Sequence, residues 1–187
     1  MSSSIFIPRT TAPAEDDLRY IANHHGYDGY NPFPIEGPDG SALPNCTGYA
    51  YGRFSEEMGT NTCNIQLNNA TDWFAATGDG YSRGQEPKLG AIICWRTWGA
   101  HTLGHVGIVE KIGRDVNGNI TVIHVSYSAY GGARFTYRAN IYPPEYKYKT
   151  DCALQGFIYN PIEFLETDYA AILAAAKRKR KKFRRQY

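Results

Sequence analysis

Two apolar runs, His105 to Ile112 and Ile120 to Tyr127, flank the segment Asp115-Val116-Asn117-Gly118-Asn119. No other stretch constrains the fold as strongly. A short polar loop with a glycine free to take positive φ closes an antiparallel hairpin. Strand side chains alternate faces, so the register of that hairpin decides which residues of the second strand join His105. If Val116-Asn117-Gly118 is a three-residue loop with a glycine bulge, Asp115 opposes Asn119 and Tyr127 shares the face of His105. If the turn is a two-residue Asn117-Gly118 loop, His124, Ser126 and Ser128 share that face instead.

Further strands are expected at Ala91-Ile92-Ile93-Cys94-Trp95, after the turn signal Pro87-Lys88-Leu89-Gly90, and at Arg134 to Tyr142 and Gly156 to Tyr159. Helical spacing of Tyr49, Ala50, Arg53 and Phe54 predicts a helix from Cys46 to about Met58, capped by Asn45 and ended by Gly59. Asn69 to Phe74 reads as a second short helix with Trp73 and Phe74 as core anchors, and Asp16 to Ala22 as a third. The expected fold class is therefore α+β, with N-terminal helices packed on a small antiparallel sheet. Six prolines between Pro8 and Pro44 make residues 1–39 an irregular N-terminal segment, and residues 40–162 form the main domain. Residues 163–187 are read as a C-terminal basic docking helix: Thr167-Asp168 can cap it, and Tyr169, Ile172, Leu173, Ala176, Arg180 and Phe183 follow helical spacing.

The formal charge of +2 conceals an asymmetry. Residues 177–185 hold 8 of the 20 basic side chains, and all 18 acids precede them, so residues 1–176 carry −6. Such a tail expects an anionic partner: a wall polymer, phospholipid or nucleic acid. No run is long enough to span a membrane, and Met1 to Pro8 lacks the basic and apolar regions of a signal peptide. Synthesis in a cytoplasm, with delivery by other means, is the expectation. The four cysteines form no CxxC pair and the five histidines no ligand spacing, so neither a metal nor a cofactor is expected. The Asp115 loop opens like an EF-hand but has Ser126 in place of the twelfth-position glutamate, which favours the hairpin over calcium. Cys94 and Cys152 read as small buried hydrophobes, and a Cys46–Cys63 disulfide is disfavoured in a chain without a signal peptide.

Cys46 stands where its helix begins, and the partial positive charge there is expected to make the thiol acidic. His105 opens an apolar strand some sixty residues later. A Cys–His pair brought together from distant segments is the minimum apparatus for attack on an amide carbonyl. Of the aromatic residues near these blocks, Trp73, Trp95 and Tyr49 read as core. Trp98, in the loop before His105, is the candidate substrate contact. His101 and the His24-His25 pair read as solvated.

Five segments in order carry a resemblance: Asn45 to Arg53, Asn69-Ala70-Thr71-Asp72-Trp73, Pro87 to Trp95, Gly104-His105-Val106-Gly107-Ile108-Val109-Glu110, and the closing Leu154-Gln155-Gly156-Phe157-Ile158-Tyr159. Together they resemble the successive blocks of CHAP domains, the cysteine, histidine-dependent amidohydrolases/peptidases, a papain-like group that cleaves bacterial peptidoglycan. The resemblance implies a papain-like fold, Cys46 as nucleophile and His105 as general base, with peptidoglycan as substrate. It leaves open N-acetylmuramoyl-L-alanine amidase or cross-bridge endopeptidase activity.

Members of the family place a Glu or Asn on the following strand to orient the imidazole. Here the matching stretch is Ser126-Tyr127-Ser128-Ala129-Tyr130-Gly131-Gly132, which puts Tyr127 at that position. His124 and Ser126 are the alternatives. CHAP domains often occur in phage proteins, and the resemblance together with the basic tail implies a virion-associated lysin at the phage tail, acting on the host wall and held by virion proteins through the N-terminus and the basic helix. A free endolysin, or an assembly protein with a weakened CHAP fold, is the alternative.

Overall fold

The computed structural model describes residues 4–24, 26–33, 45–99, 102–130 and 133–166. Its elements are β1 (Ser4–Ile5), α1 (Cys46–Glu57), β2 (Arg83–Gly84), β3 (Ile92–Thr97), β4 (His105–Arg114), β5 (Ile120–Tyr127), β6 (Thr136–Ile141), β7 (Cys152–Ile158) and β8 (Phe164–Leu165). Short 3₁₀ turns occupy Ala70–Asp72 and Thr77–Asp79. Six strands form an antiparallel sheet in the order β2-β7-β3-β4-β5-β6. β1 pairs with β8 in a separate parallel ribbon.

The α+β expectation holds for the sheet, but the helices differ. Among the described residues α1 is the one α-helix. Asn69 to Phe74 contributes only a 3₁₀ turn, and Asp16 to Ala22 is a run of turns and bends. A stretch as short as the Asp16 segment has too few backbone bonds to outweigh helix nucleation. Trp73 nevertheless fills the core as expected, fully buried with its indole N–H donating to the Asn68 carbonyl at 3.0 Å. The basic helix predicted from Thr167 lies outside the described residues, while Phe164 and Leu165, just before it, are strand. Among the described residues up to Phe33, the chain is irregular apart from β1 and an isolated bridge between Ala22 and Asn31, and no local pattern announces the pairing of β1 with β8.

Period-two alternation splits the core between the two faces of the sheet. Ile92, Cys94, Val106, Ile108 and Ile158 pack toward α1, against Tyr49, Ala50, Phe54 and Trp73. Ala91, Ile93, Trp95, Val109, Ile123, Val125, Ile141 and Phe157 form the core of the opposite face, covered by the connection that carries Tyr146. Each fully buried Ile or Phe contributes roughly 1.5–3 kcal/mol relative to exposure.

The central hairpin takes the three-residue loop. The Asp115 N–H donates to the Asn119 carbonyl at 2.9 Å, and Gly118, at φ +85°, donates to the Asp115 carbonyl at 3.0 Å. Asp115 Oδ1 accepts from the Asn117 and Asn119 N–H groups, each at 2.9 Å, which stabilises the loop from within. Beyond the loop the register shifts twice, between Gly113 and Arg114 and between Val109 and Lys111. The first shift leaves Thr121 of β5 unopposed and the second leaves Glu110 of β4 unopposed, so they cancel. Ile108 then pairs with Ser126, as an unbroken ladder from the loop would require.

Candidate active site

Asn45 caps α1 as its residue type predicts: its Oδ1 accepts from the Gly48 N–H at 2.7 Å and from the Thr47 hydroxyl at 2.8 Å. Its carbonyl accepts from the Tyr49 N–H at 3.1 Å. Cys46, first residue of the helix, is half-buried and packs against the core that includes Val106 and Cys94. Burial pushes its thiol up to about 11, against the opposing pull of the backbone N–H groups of Val106, Thr47 and Cys46 itself. The expectation of an acidic thiol at the helix start is therefore corrected. Desolvation of a thiolate on this apolar floor outweighs the helix-end charge. All four cysteines are free thiols.

Val106 directly follows His105, so the residue whose N–H faces the Cys46 sulfur is the neighbour of the histidine. His105 is itself buried, 6% exposed, and its Nε2 has no hydrogen-bond partner. Burial, with a smaller push from Lys149, lowers its imidazole to about 3. Thiol and imidazole are thus both neutral at rest.

Tyr127 comes to the same face as His105. Its ring meets the imidazole edge-on, with centroids 4.8 Å apart and planes at 85°. Gly107, next to oppose it, is required by that approach. A Cβ there would lie 2.9 Å from the Ser126 carbonyl and 3.3 Å from Tyr127 Cβ, closer than the backbone allows. The two alternatives lie on the other face. Ser126 is fully buried, accepts from the Tyr49 hydroxyl at 2.6 Å and donates to Glu110 Oε1 at 2.6 Å. His124 Nδ1 lies 2.8 Å from the Tyr137 hydroxyl. Neither is brought to His105.

Two further rings reach the imidazole, and sequence reasoning assigned neither to the site. Tyr148, in the β6–β7 connection, stacks on it at 4.6 Å and 29°, and Trp95 of β3 at 5.7 Å and 20°. Trp95 is core, as expected, yet pairs directly opposite His105. Tyr148 sits in a segment with no periodic pattern, so its only signal was its residue type. Trp98, at the end of β3, is 47% exposed, while Trp73 and Tyr49 are buried.

Behind the site, α1 is seated on β4 by ions. Arg53 donates to Glu110 through Nε at 3.1 Å and Nη2 at 3.0 Å, to Glu56 at 3.1 Å and to the Ile7 carbonyl at 2.8 Å. The Arg9 backbone N–H donates to Glu110 Oε2 at 2.7 Å, and its guanidinium pairs with Glu56. Burial works against the Arg53 charge, but Glu57 and Glu110 beside it raise its pKa overall. Glu57, packed among these groups, is held well above the carboxylate range by burial, with Glu110 and Glu56 adding to the rise. Among the described residues no group of His, Cys, Asp and Glu could hold a metal ion, and no helix is long and apolar enough to cross a membrane.

Comparison with known proteins yields one family match and one similar structure to report. The family model for the CHAP domain matches residues 37–126. Among solved structures, an N-acetylmuramoyl-L-alanine amidase from Staphylococcus aureus is similar at 25% identity and a TM-score of 0.45, covering 67% of this chain. The match spans 34%, about a third, of the amidase chain. No curated protein matches. Cys46, Val106 and His105 all lie inside residues 37–126, the span that the CHAP-domain model matches.

Proposed function

We propose that the protein is a peptidoglycan hydrolase in which Cys46 is the nucleophile and His105 the general base. The observation that carries this reading is the seating of Cys46, at the start of α1, against the N–H of the residue that follows His105, inside the span that the CHAP-domain model matches. Since both groups rest neutral, the thiol proton passes to His105 as the sulfur attacks the amide carbonyl carbon of the substrate. The backbone N–H of Cys46, at the start of α1, stabilises the oxyanion that forms. His105 then returns the proton to the departing amine as the C–N bond breaks. Water, deprotonated by His105, hydrolyses the thioester and regenerates the thiol, leaving a carboxylate and a free amine. The bond cut is an amide of the peptide part of the wall, either the lactyl–L-alanine link or a cross-bridge bond. The exposed Trp98 offers a flat apolar face for the glycan or peptide at the rim.

The acidic body and basic tail support a further step: a lysin held in a phage virion, with the +8 segment on an anionic surface. The test uses purified peptidoglycan digested by the wild-type protein and by Cys46→Ala, with mass spectrometry of the fragments. Wild type is expected to release new amino termini of one defined kind and Cys46→Ala none. Equal digestion by both, or by neither, sinks the enzyme reading; the second result favours an assembly protein that has kept the fold.

A further inference from the structure

His105 has no hydrogen-bonded orienting group at Nε2. The carboxylate on its own strand, Glu110, is committed to Arg53, Arg9 and Ser126 on the far face. What surrounds the imidazole instead is aromatic, and Tyr148 is the common member. Besides stacking on His105, its ring meets Trp95 at 4.8 Å and Tyr127 at 6.1 Å. The other rings stand on strands β3, β4 and β5, whereas Tyr148 arrives from a connection and closes the group.

That connection is tied down on both sides of Tyr148. The Trp95 indole N–H donates to the Tyr146 carbonyl at 2.6 Å, the Cys152 thiol to the Lys149 carbonyl at 3.0 Å, and the Trp98 N–H to the Asp151 carbonyl at 3.3 Å. Tyr146 adopts φ +44°, a conformation a bulky residue takes only when its surroundings hold it there. The ring is thus placed by fixed contacts.

Resting on the hydrolase reading above, we infer that Tyr148 is a positioning residue for His105. Its ring closes an aromatic clamp that orients the imidazole where a carboxylate or amide side chain does so in related domains. The titratable groups that face His105 are Lys149, paired with Asp151 at 3.4 Å, and Tyr148 from the connection and Tyr127 from β5. Trp95 of β3 is not titratable. The clamp therefore excludes water more than it adds charge.

The experiment compares wild type, Tyr148→Phe and Tyr148→Leu by kcat, KM, the pH profile of kcat/KM, and the NMR titration of the His105 ring. The Phe variant is expected to stay within about threefold of wild type in kcat, because the ring face is kept. The Leu variant is expected to lose about tenfold or more in kcat at nearly unchanged KM, a fraction of what a general base supplies. Its His105 midpoint moves up toward the ordinary histidine range as water enters. Tyr148→Met takes the place of the Leu variant if the latter does not fold. Loss in the Phe variant as deep as in the Leu variant overturns the clamp, as does a Leu variant with unmoved kcat and midpoint. The titration needs no turnover, so it decides the clamp even if the Cys46→Ala comparison rejects the hydrolase.

Discussion

Arg53 of α1 grips Glu110 of β4 through two N–H donors at 3.1 and 3.0 Å, and the pair is buried. Arg53 lies seven positions from Cys46 along the helix, and Glu110 lies four positions from Val106 along the strand. At about 1.5 Å per helical residue and 3.3 Å per strand residue these are spans of roughly 10 and 13 Å. The clamp at one end therefore sets which residue of α1 falls beside Val106 at the other.

Breaking this pair leaves a buried charge without its partner. Glu110→Ala and Arg53→Ala are each expected to cost about 3–5 kcal/mol in urea denaturation. The double variant Arg53→Met/Glu110→Leu is expected to lose less than the sum of the two. Additive losses would show that the two side chains act independently.

The buried neutral histidine makes stability depend on pH. Its folded-state value is depressed to about 3, so below about 6.5 the unfolded chain takes up a proton that the folded one refuses. Stability is therefore full above about pH 6.5 and is lost as pH falls toward 3, by up to ~1.4 kcal/mol per unit from this residue. His105→Gln should flatten that acid limb in denaturation curves taken from pH 7 to 4. An unchanged slope would place the titrating group elsewhere.

For the thiol the sign is opposite. Its folded value is raised to about 11, so iodoacetamide should label Cys46 slowly at neutral pH, with the rate climbing from pH 9 toward 11. Mass-spectrometric rates for Cys46 across that range are the check. Fast labelling at pH 7 would reveal an ionised thiol.

Gly107→Ala would drive a methyl group into the Ser126 carbonyl and Tyr127. Overpacking of this kind costs about 1–3 kcal/mol, and displacing Tyr127 should lower kcat as well. Thermal melts and turnover on the same preparation test both halves. A variant with wild-type melting and rate would mean that the hairpin yields there freely.

Trp98→Ala should leave the melting temperature alone, since the ring is 47% exposed. If the ring stacks on substrate, the loss of about 1 kcal/mol raises KM roughly fivefold at constant kcat. No change in KM would remove Trp98 from the substrate path.

Much of this was legible from residue types. Asn45 before an amphipathic run marked the start of α1, and the Asp115 loop marked the hairpin while leaving two registers open, of which the chain takes the one that brings Tyr127 to the face of His105. The two bulges were not legible, and the register survived only because they oppose each other. The thiol's acidity was misjudged because a helix end is a local feature, whereas the burial that overrides it is assembled from β3 and β4. The Tyr148–His105 stack and the Arg53–Glu110 pair were hidden for the same reason: each joins residues more than 40 positions apart. The pairing of β1 with β8, some 160 residues apart, lay still further beyond any local pattern.

The span that bears the family likeness, residues 37–126, is narrower than the body that makes the site. Strand β7, which sits between β2 and β3 and pairs with β3 from Ile92 to Thr97, comes from beyond it. So does Tyr148, while the Arg9 N–H on Glu110 comes from before it. The recognisable unit is thus not the transplantable one. A fragment cut at the borders of the likeness would carry the cysteine and the histidine with an open sheet edge at β3, and a chimera meant to retain the site must take the flanks too.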